Sequence, residues 1–274
     1  MADRISEEAV RKAVNALLKW KTKLQPQSHH QYEEDGEAKA EAEAEAESDD
    51  SIYLSLTLKK APPQQLTLTP HRIPLRHSLL PKTHSQLNFC LIVDGKKIKS
   101  EAAHKILKNQ NFPFTLKVMK LSKIKSDYKS FETKKKLHDS FDLFFAAKGV
   151  VPFLPMVLGK VFYSKKRKVP VTVDLKADGS NWKEEIERAS NSSLLFLSSG
   201  TCSAVRVGKW GVTEGQEIVE NVFEAIDGVL DIPIPKKWGG VRCFHLKFSD
   251  SLALPIYEHQ PTALLVGEKR KRTV

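Results

Sequence analysis

"LLFLSSGTCSAVRVGKW" (194–210) holds two apolar runs separated by Ser-Ser-Gly, and the structure it forms decides the fold. Gly200 falls where the chain must reverse, and glycine is the residue that reaches the positive φ such turns use. Past it the residues alternate. Thr201, Ser203, Val205 and Val207 share one face and Cys202, Ala204 and Arg206 the other, the period of a half-buried strand. The stretch therefore reads as a pair of strands joined by a turn. It also looks like an active site, because Thr201, Cys202 and Ser203 crowd the glycine with Lys209 nearby. A nucleophile elbow, however, needs Gly-x-Ser-x-Gly between a strand and a helix, and here a strand follows the turn. A thiol nucleophile needs a histidine base oriented by a third group, and nothing selects His245 among the nine histidines. Cys202 reads as a small packed hydrophobe, no catalytic residue is assigned, and the expectation is a protein that is not an enzyme.

Working outward, "NWKEEIERASNS" (181–192) before this stretch and "TEGQEIVENVFEAIDGVLD" (213–231) after it are amphipathic helices, and "VRCFHLKFSDSLALPIY" (241–257) ends the folded part with a strand. Two strands flanking a helix form a split β-α-β arrangement, which leaves room for one more strand. "SIYLSLTLKK" (51–60) supplies it: it alternates, is rich in strand formers and stops at Pro62 and Pro63. The chain thus begins in one α+β domain, leaves it, and returns.

The excursion begins with a connector, "TLTPHRIPLRHSLLPKTHS" (67–85), in which Pro70, Pro74 and Pro81 interrupt any regular ladder. From Leu87 the pattern changes. "LNFCLIV", "TLKVMKL" and "FDLFFAA" are short strands, "SEAAHKILKNQ" (100–110), "DYKSFETKKKLHDS" (127–140) and "VVPFLPMVLGK" (150–160) are helices alternating with them, and the segment ends at the basic "YSKKRK" before a further strand, "VPVTVDL". Strands separated by helices of this size give a parallel sheet with helices on its faces. The fold class is α/β. A discontinuous α+β domain spans 1–81 and 168–260, an α/β domain is inserted at 82–167, and a basic tail occupies 261–274.

Composition narrows the partner. Across 274 residues, 41% hydrophobic and 28% charged, the balance is globular. The formal net charge is +11, which favours an anionic partner such as nucleic acid. After a first helix at Glu7 to Leu24, "EEDGEAKAEAEAEAESDD" (33–50) carries a net charge of −9, leaving +20 on the rest. Its alternating Ala and Glu has no apolar face to bury and its charges repel, so it reads as a solvated acidic loop. Lys117, Lys120, Lys123, Lys125, Lys129, Lys134, Lys135 and Lys136 crowd one strand and its helix, followed by Lys165, Lys166, Arg167 and Lys168. Together they suit phosphate contacts.

Other chemistry finds no support. Cys90, Cys202 and Cys243 have neither disulfide-framework nor zinc spacing, which fits a reducing compartment. No phosphate loop, dinucleotide fingerprint or metal-spaced histidine pair occurs. The expectation is no cofactor, no metal and no small-molecule substrate. The charged start "MADRISEEAVRKAV" and the lack of an 18-residue apolar run predict a soluble intracellular protein with no membrane partner.

Seven motifs in order, "PHRIPLRHSLL", "LNFCLIVDG", "LSKIKSDYKSFETKKKLHDSFDLFFAAKGVVPFLPMVLGKVF", "NWKEEIERA", "LFLSSGTCSAVRVGKWG", "EIVENV" and "SDSLALPIY", resemble the ribosomal protein L1 family, and in particular its eukaryotic nucleolar L1 domain-containing branch. The resemblance implies a discontinuous domain enclosing a Rossmann-like three-layer α/β domain. It implies binding of rRNA or pre-rRNA, with pre-ribosomal assembly proteins as further partners. The family's strand after the glycine turn maps to the strand bearing Ser203 and to Gly208 and Lys209. Its Ser-Thr-Met-Gly loop falls on Ser249, Asp250, Ser251, Leu252 and Ala253. Leu252 and Ala253 stand where Met and Gly would be, and Asp250 adds a negative charge, so the nucleolar branch is the better match. Lys247, on a strand of the same sheet, joins Lys209 as an expected phosphate contact. Lys269, Arg270, Lys271 and Arg272 are consecutive and suit nuclear targeting, so the expected address is the nucleus and nucleolus. A different reading makes the chain a nuclear protein-interaction module or regulator without a structural RNA role, its α/β insert docking proteins. Salt separates the two, because phosphate binding weakens steeply with ionic strength and apolar docking does not.

Overall fold

The computed structural model describes residues 5–24, 50–67, 69–81, 87–95, 112, 114–164, 168–176, 179–234 and 237–259. In chain order the main elements are α1 (Glu7–Leu24), β1 (Ser51–Leu58), β2 (His71–Pro74), β3 (Asn88–Val93), β4 (Thr115–Lys120), α2 (Leu121–Asp127), α3 (Phe131–Asp139), β5 (Leu143–Ala147), α4 (Leu154–Leu158), β6 (Val171–Val173), α5 (Trp182–Ser190), β7 (Ser192–Leu195), β8 (Cys202–Lys209), α6 (Gly215–Asp231), β9 (Val241–Lys247) and β10 (Leu254–Glu258).

Alternation in β1 builds the first domain. Ile52, Leu54, Leu56 and Leu58 are buried while Tyr53, Ser55 and Thr57 are not, so one face of the strand is apolar and the other polar. β1 lies inside an antiparallel sheet of order β10-β9-β1-β8. Because β8 and β9 both run antiparallel to β1, they are parallel to each other, and α6 is their crossover. The buried face packs on α1, through Val10, Val14 and Leu17, and on α6, through Ile218, Val222, Ala225 and Val229, each set at helical spacing. The side chains of Glu214 and Glu217 form a capping box at the start of α6. Inside the helix, Asn221 is fully buried; its Oδ1 accepts from His77 N (2.8 Å) while its Nδ2 donates to Val207 O (3.0 Å) and His77 O (3.1 Å). It therefore joins helix, sheet and connector.

The inserted domain is a parallel sheet of order β4-β3-β5-β6. In β3 Phe89 to Val93 are all buried, as a central strand covered on both faces requires. Phe89, Leu91 and Val93 meet Trp182, Ile186 and Ala189 of α5 on one side. Cys90 and Ile92 meet Ile124, Leu137, Leu154 and Leu158 from α2, α3 and α4 on the other. These are the three layers expected. Burial pushes the Cys90 thiol up to about 12, so it stays protonated and packs as an apolar group.

Several elements differ from the sequence expectation. β6, which a boundary at 168 puts with the outer domain, pairs parallel with β5 and buries Val171 and Val173 beneath α5; the return to the outer domain comes later. The 194–210 stretch is not a hairpin. Its first two residues, Leu194 and Leu195, end β7, which pairs with β2 in a separate two-stranded sheet, and its second run is β8, paired with β1. Gly200 lacks a positive φ; the described glycines that have one are Gly159, Gly179 and Gly211. The proline-bearing connector contains β2, whose ladder ends at Pro74. The final segment is two strands, β9 and β10. Positions 100–110, 25–49 and 260–274 lie outside the described residues.

The β2/β7 pair is the junction between the domains. Ile73 and Leu195 enter the first core and Leu194 the second. Arg72 Nη1 donates to Glu185 Oε1 of α5 (2.7 Å) and to Thr172 O of β6 (3.1 Å), clamping the outer strand to the insert.

Candidate nucleic-acid interface

The face of the four-stranded sheet turned away from α1 and α6 carries its outward side chains in register. Tyr53 lies opposite Arg206 on one side and Lys247 on the other; Ser55 lies between Ala204 and His245; Thr57 lies between Cys202 and Cys243. Directly opposed side chains are about 5 Å apart at Cβ. The first row is thus an aromatic ring flanked by two cations, and in the second Ser55 and Ala204 are short side chains that line a groove.

A wall rises beside β8. Leu195 and Leu197 are buried in the core, so by alternation Phe196 turns outward. Ser198 Oγ donates to Cys202 O (3.0 Å) and accepts from Gly200 N (3.3 Å), pinning the wall to the start of β8. Tyr53, Phe196, Ser198, Ala204, Arg206 and Lys247 border the resulting groove of about 420 Å³. A second cavity of about 490 Å³ lies between the domains, with Ser51, Gly208 and Lys209 on one side and Asp142, Lys168 and Val171 on the other. Arg206 borders both cavities. Lys168 Nζ donates to His138 O and Phe141 O at 3.1 and 3.0 Å, so this ammonium is part of the insert's framework.

An anionic, planar ligand suits such a surface, and the comparisons with known proteins agree on the fold that carries it. The chain matches the Ribosomal protein L1p/L10e family over residues 38–252. It belongs to the ribosomal protein L1 family. It is 31% identical over 213 residues to "Ribosomal L1 domain-containing protein 1" of Mus musculus, a match covering 76% of this chain and 45% of that protein. It is 30% identical over 225 residues to "Putative ribosome biogenesis protein C8F11.04" of Schizosaccharomyces pombe, covering 81% and 58%. Against "Large ribosomal subunit protein uL1" of Drosophila melanogaster the identity is 24% over 249 residues, covering 91% and 96%. The chain spans about half the length of the first two relatives.

In this L1-family chain the expected site residues divide. Lys247 faces the groove and Lys209 is exposed at the end of β8. Ser203 is buried, 9% exposed, on the inner face of β8, and only its backbone can serve the groove. Gly208 is also buried: a Cβ there would stand 2.8 Å from Ile218 Cγ1, so glycine lets α6 approach the strand. The loop of Ser249, Ser251, Leu252 and Ala253 joins β9 to β10 at the same end of the sheet as Lys209, as the pairing of Ser51 with Lys209 and Leu254 with Leu246 requires. Ser251 Oγ accepts from Phe248 N (2.8 Å) and donates to Leu252 O (3.0 Å), shaping the turn, while Leu252 is 85% exposed. Cys202 is exposed rather than packed, because it occupies the outward set of β8.

Sequence reasoning passed over Tyr53, Phe196 and Arg206. The alternation of β1 and β8 carries the signal for Tyr53 and Arg206, whereas Phe196 is hidden in an unbroken apolar run. Lys117, Lys120, Lys135 and Lys136 are exposed on the insert, and Lys134 is half-buried beside Gly159. Arg167 and the preceding two lysines, and Lys269 to Arg272, lie outside the described residues. Among the described residues, no group of three or more His, Cys, Asp and Glu could hold a metal ion, and no helix is long and apolar enough to cross a membrane.

Proposed function

We propose that this L1-family protein is a ribosome-biogenesis factor that binds rRNA or pre-rRNA on the helix-free face of its antiparallel sheet and performs no chemistry of its own. The observation that carries the reading is the row Arg206, Tyr53, Lys247, set across three strands and bordered by the Phe196 wall. Cations held on a sheet beside an aromatic ring meet both parts of an RNA strand, its phosphates and its bases. The names of the mouse and fission-yeast relatives support the ribosomal setting. The same reading assigns the protein to nucleolar pre-ribosomes, with Lys269 to Arg272 serving entry to the nucleus and RNA binding serving retention.

The test is the salt dependence of binding between the purified chain and transcribed rRNA fragments. Phosphate contacts require affinity to fall linearly on a log–log plot, with a slope of about −0.7 per contact for a single strand. Binding that is flat in salt would overturn the reading. It would favour protein docking by the insert, where Phe153 and Met156, 53% and 76% exposed and one helical turn apart, stand on the surface.

A further inference from the structure

Within the RNA reading, on which this rests, the groove has a shape and chemistry that select one form of RNA. We infer that it takes an unpaired nucleotide, whose base stacks on the Tyr53 and Phe196 aromatic surface while Arg206 and Lys247 hold the phosphates on either side.

Four observations lead there. Tyr53 and Phe196 are both partly exposed and both border the groove, one from the floor and one from the wall. The neighbouring outward positions on β1 and β8 are Ser55 and Ala204, short side chains that border the same groove. The volume of about 420 Å³ falls in the roughly 300–1,000 Å³ range of small-ligand sites, the scale of a nucleotide rather than of a helix surface. The flanking charges are both positive, so the occupant is an anion with an apolar plane.

A duplex does not meet these requirements. It presents phosphates to a basic surface but keeps its base faces stacked inside, out of reach of an aromatic side chain, whereas loops, bulges and ends offer them. The hydroxyls of Ser55 and Ser198 line the same groove and give it donors and acceptors for a base edge. Sequence preference at the site is therefore modest and set by stacking.

The experiment uses the full chain with a single-stranded RNA of a loop sequence, its perfect duplex, and the single strand carrying 2-aminopurine. The account requires tighter binding to the single strand and quenching of the 2-aminopurine on binding. Tyr53→Leu should weaken single-strand binding roughly 5- to 150-fold, the range for losing one base–aromatic stack, and leave the salt slope unchanged. Tyr53→Phe should restore both affinity and quenching. Phe196→Leu is a second variant on a different element, with thermal unfolding confirming that each variant is folded. Equal affinity for duplex and single strand with no quenching, or wild-type affinity in folded Tyr53→Leu and Phe196→Leu, would overturn the assignment while leaving phosphate binding in place. Lack of binding to either RNA at low salt would overturn the RNA reading and the groove assignment together.

Discussion

The two faces of the β10-β9-β1-β8 sheet are made by the same strands, yet they do different work. On the inner face Ile52, Leu54, Leu56, Val205, Val207, Phe244 and Leu246 are all buried to 1% or less beneath α1 and α6. On the outer face the intervening residues are Tyr53, Ser55, Thr57, Ala204, Arg206, His245 and Lys247. A period of two therefore lets one stretch of chain hold the fold with every other residue and carry the polar and basic residues of the outer face with the rest. It also means that a strand residue's role follows from its parity. Ser203 and Lys247 were both expected at the RNA site, but only Lys247 has the outward parity.

Leu54→Ala on the inner face should destabilise the protein by about 2–5 kcal/mol, since it removes a fully buried side chain and leaves a cavity. Denaturant unfolding measures this, and RNA affinity per folded molecule should not change. Gly208→Ala should cost about 1–3 kcal/mol by forcing strand and helix apart; a loss of RNA binding at full stability would instead make Gly208 an RNA contact. Arg206→Gln with Lys247→Gln should make the salt slope on a single strand shallower by about 1.4 while moving stability by less than about 1 kcal/mol. A large fall in stability with no change in slope would reverse the roles given to the faces. Cys202→Ala should leave stability within about 0.5 kcal/mol, as for an exposed surface position, in contrast to the same change at buried Cys90.

Much of the first domain was legible because its strands are half-buried: alternation in 51–60 and 201–207 fixed both the element and its faces. The insert was legible for the opposite reason, since the apolar run of 89–93 is too short for a helix and reads as a strand covered on both sides. What escaped were choices made by tertiary partners. The run 194–197 carries no alternation, so nothing local says that β7 pairs with β2 instead of β8, or that Phe196 leaves the core. The turn at Gly200 joins two different sheets and therefore needs none of a hairpin's positive φ. β6 is three residues long, and its membership depends on Trp182 and Ile186 covering it. For Gly208, the close approach that favours glycine comes from a side chain ten residues away in sequence, Ile218.

The most direct measurement is ultraviolet crosslinking of the full chain to a single-stranded rRNA fragment, followed by mass-spectrometric mapping of the joined peptides. The account predicts crosslinks in the peptides bearing Tyr53 and Phe196, on β1 and the segment after β7, with those of Lys134 to Lys136 on α3 labelled weakly or not at all. Crosslinks confined to α3 and the lysines of β4, with the sheet peptides unlabelled, would contradict it.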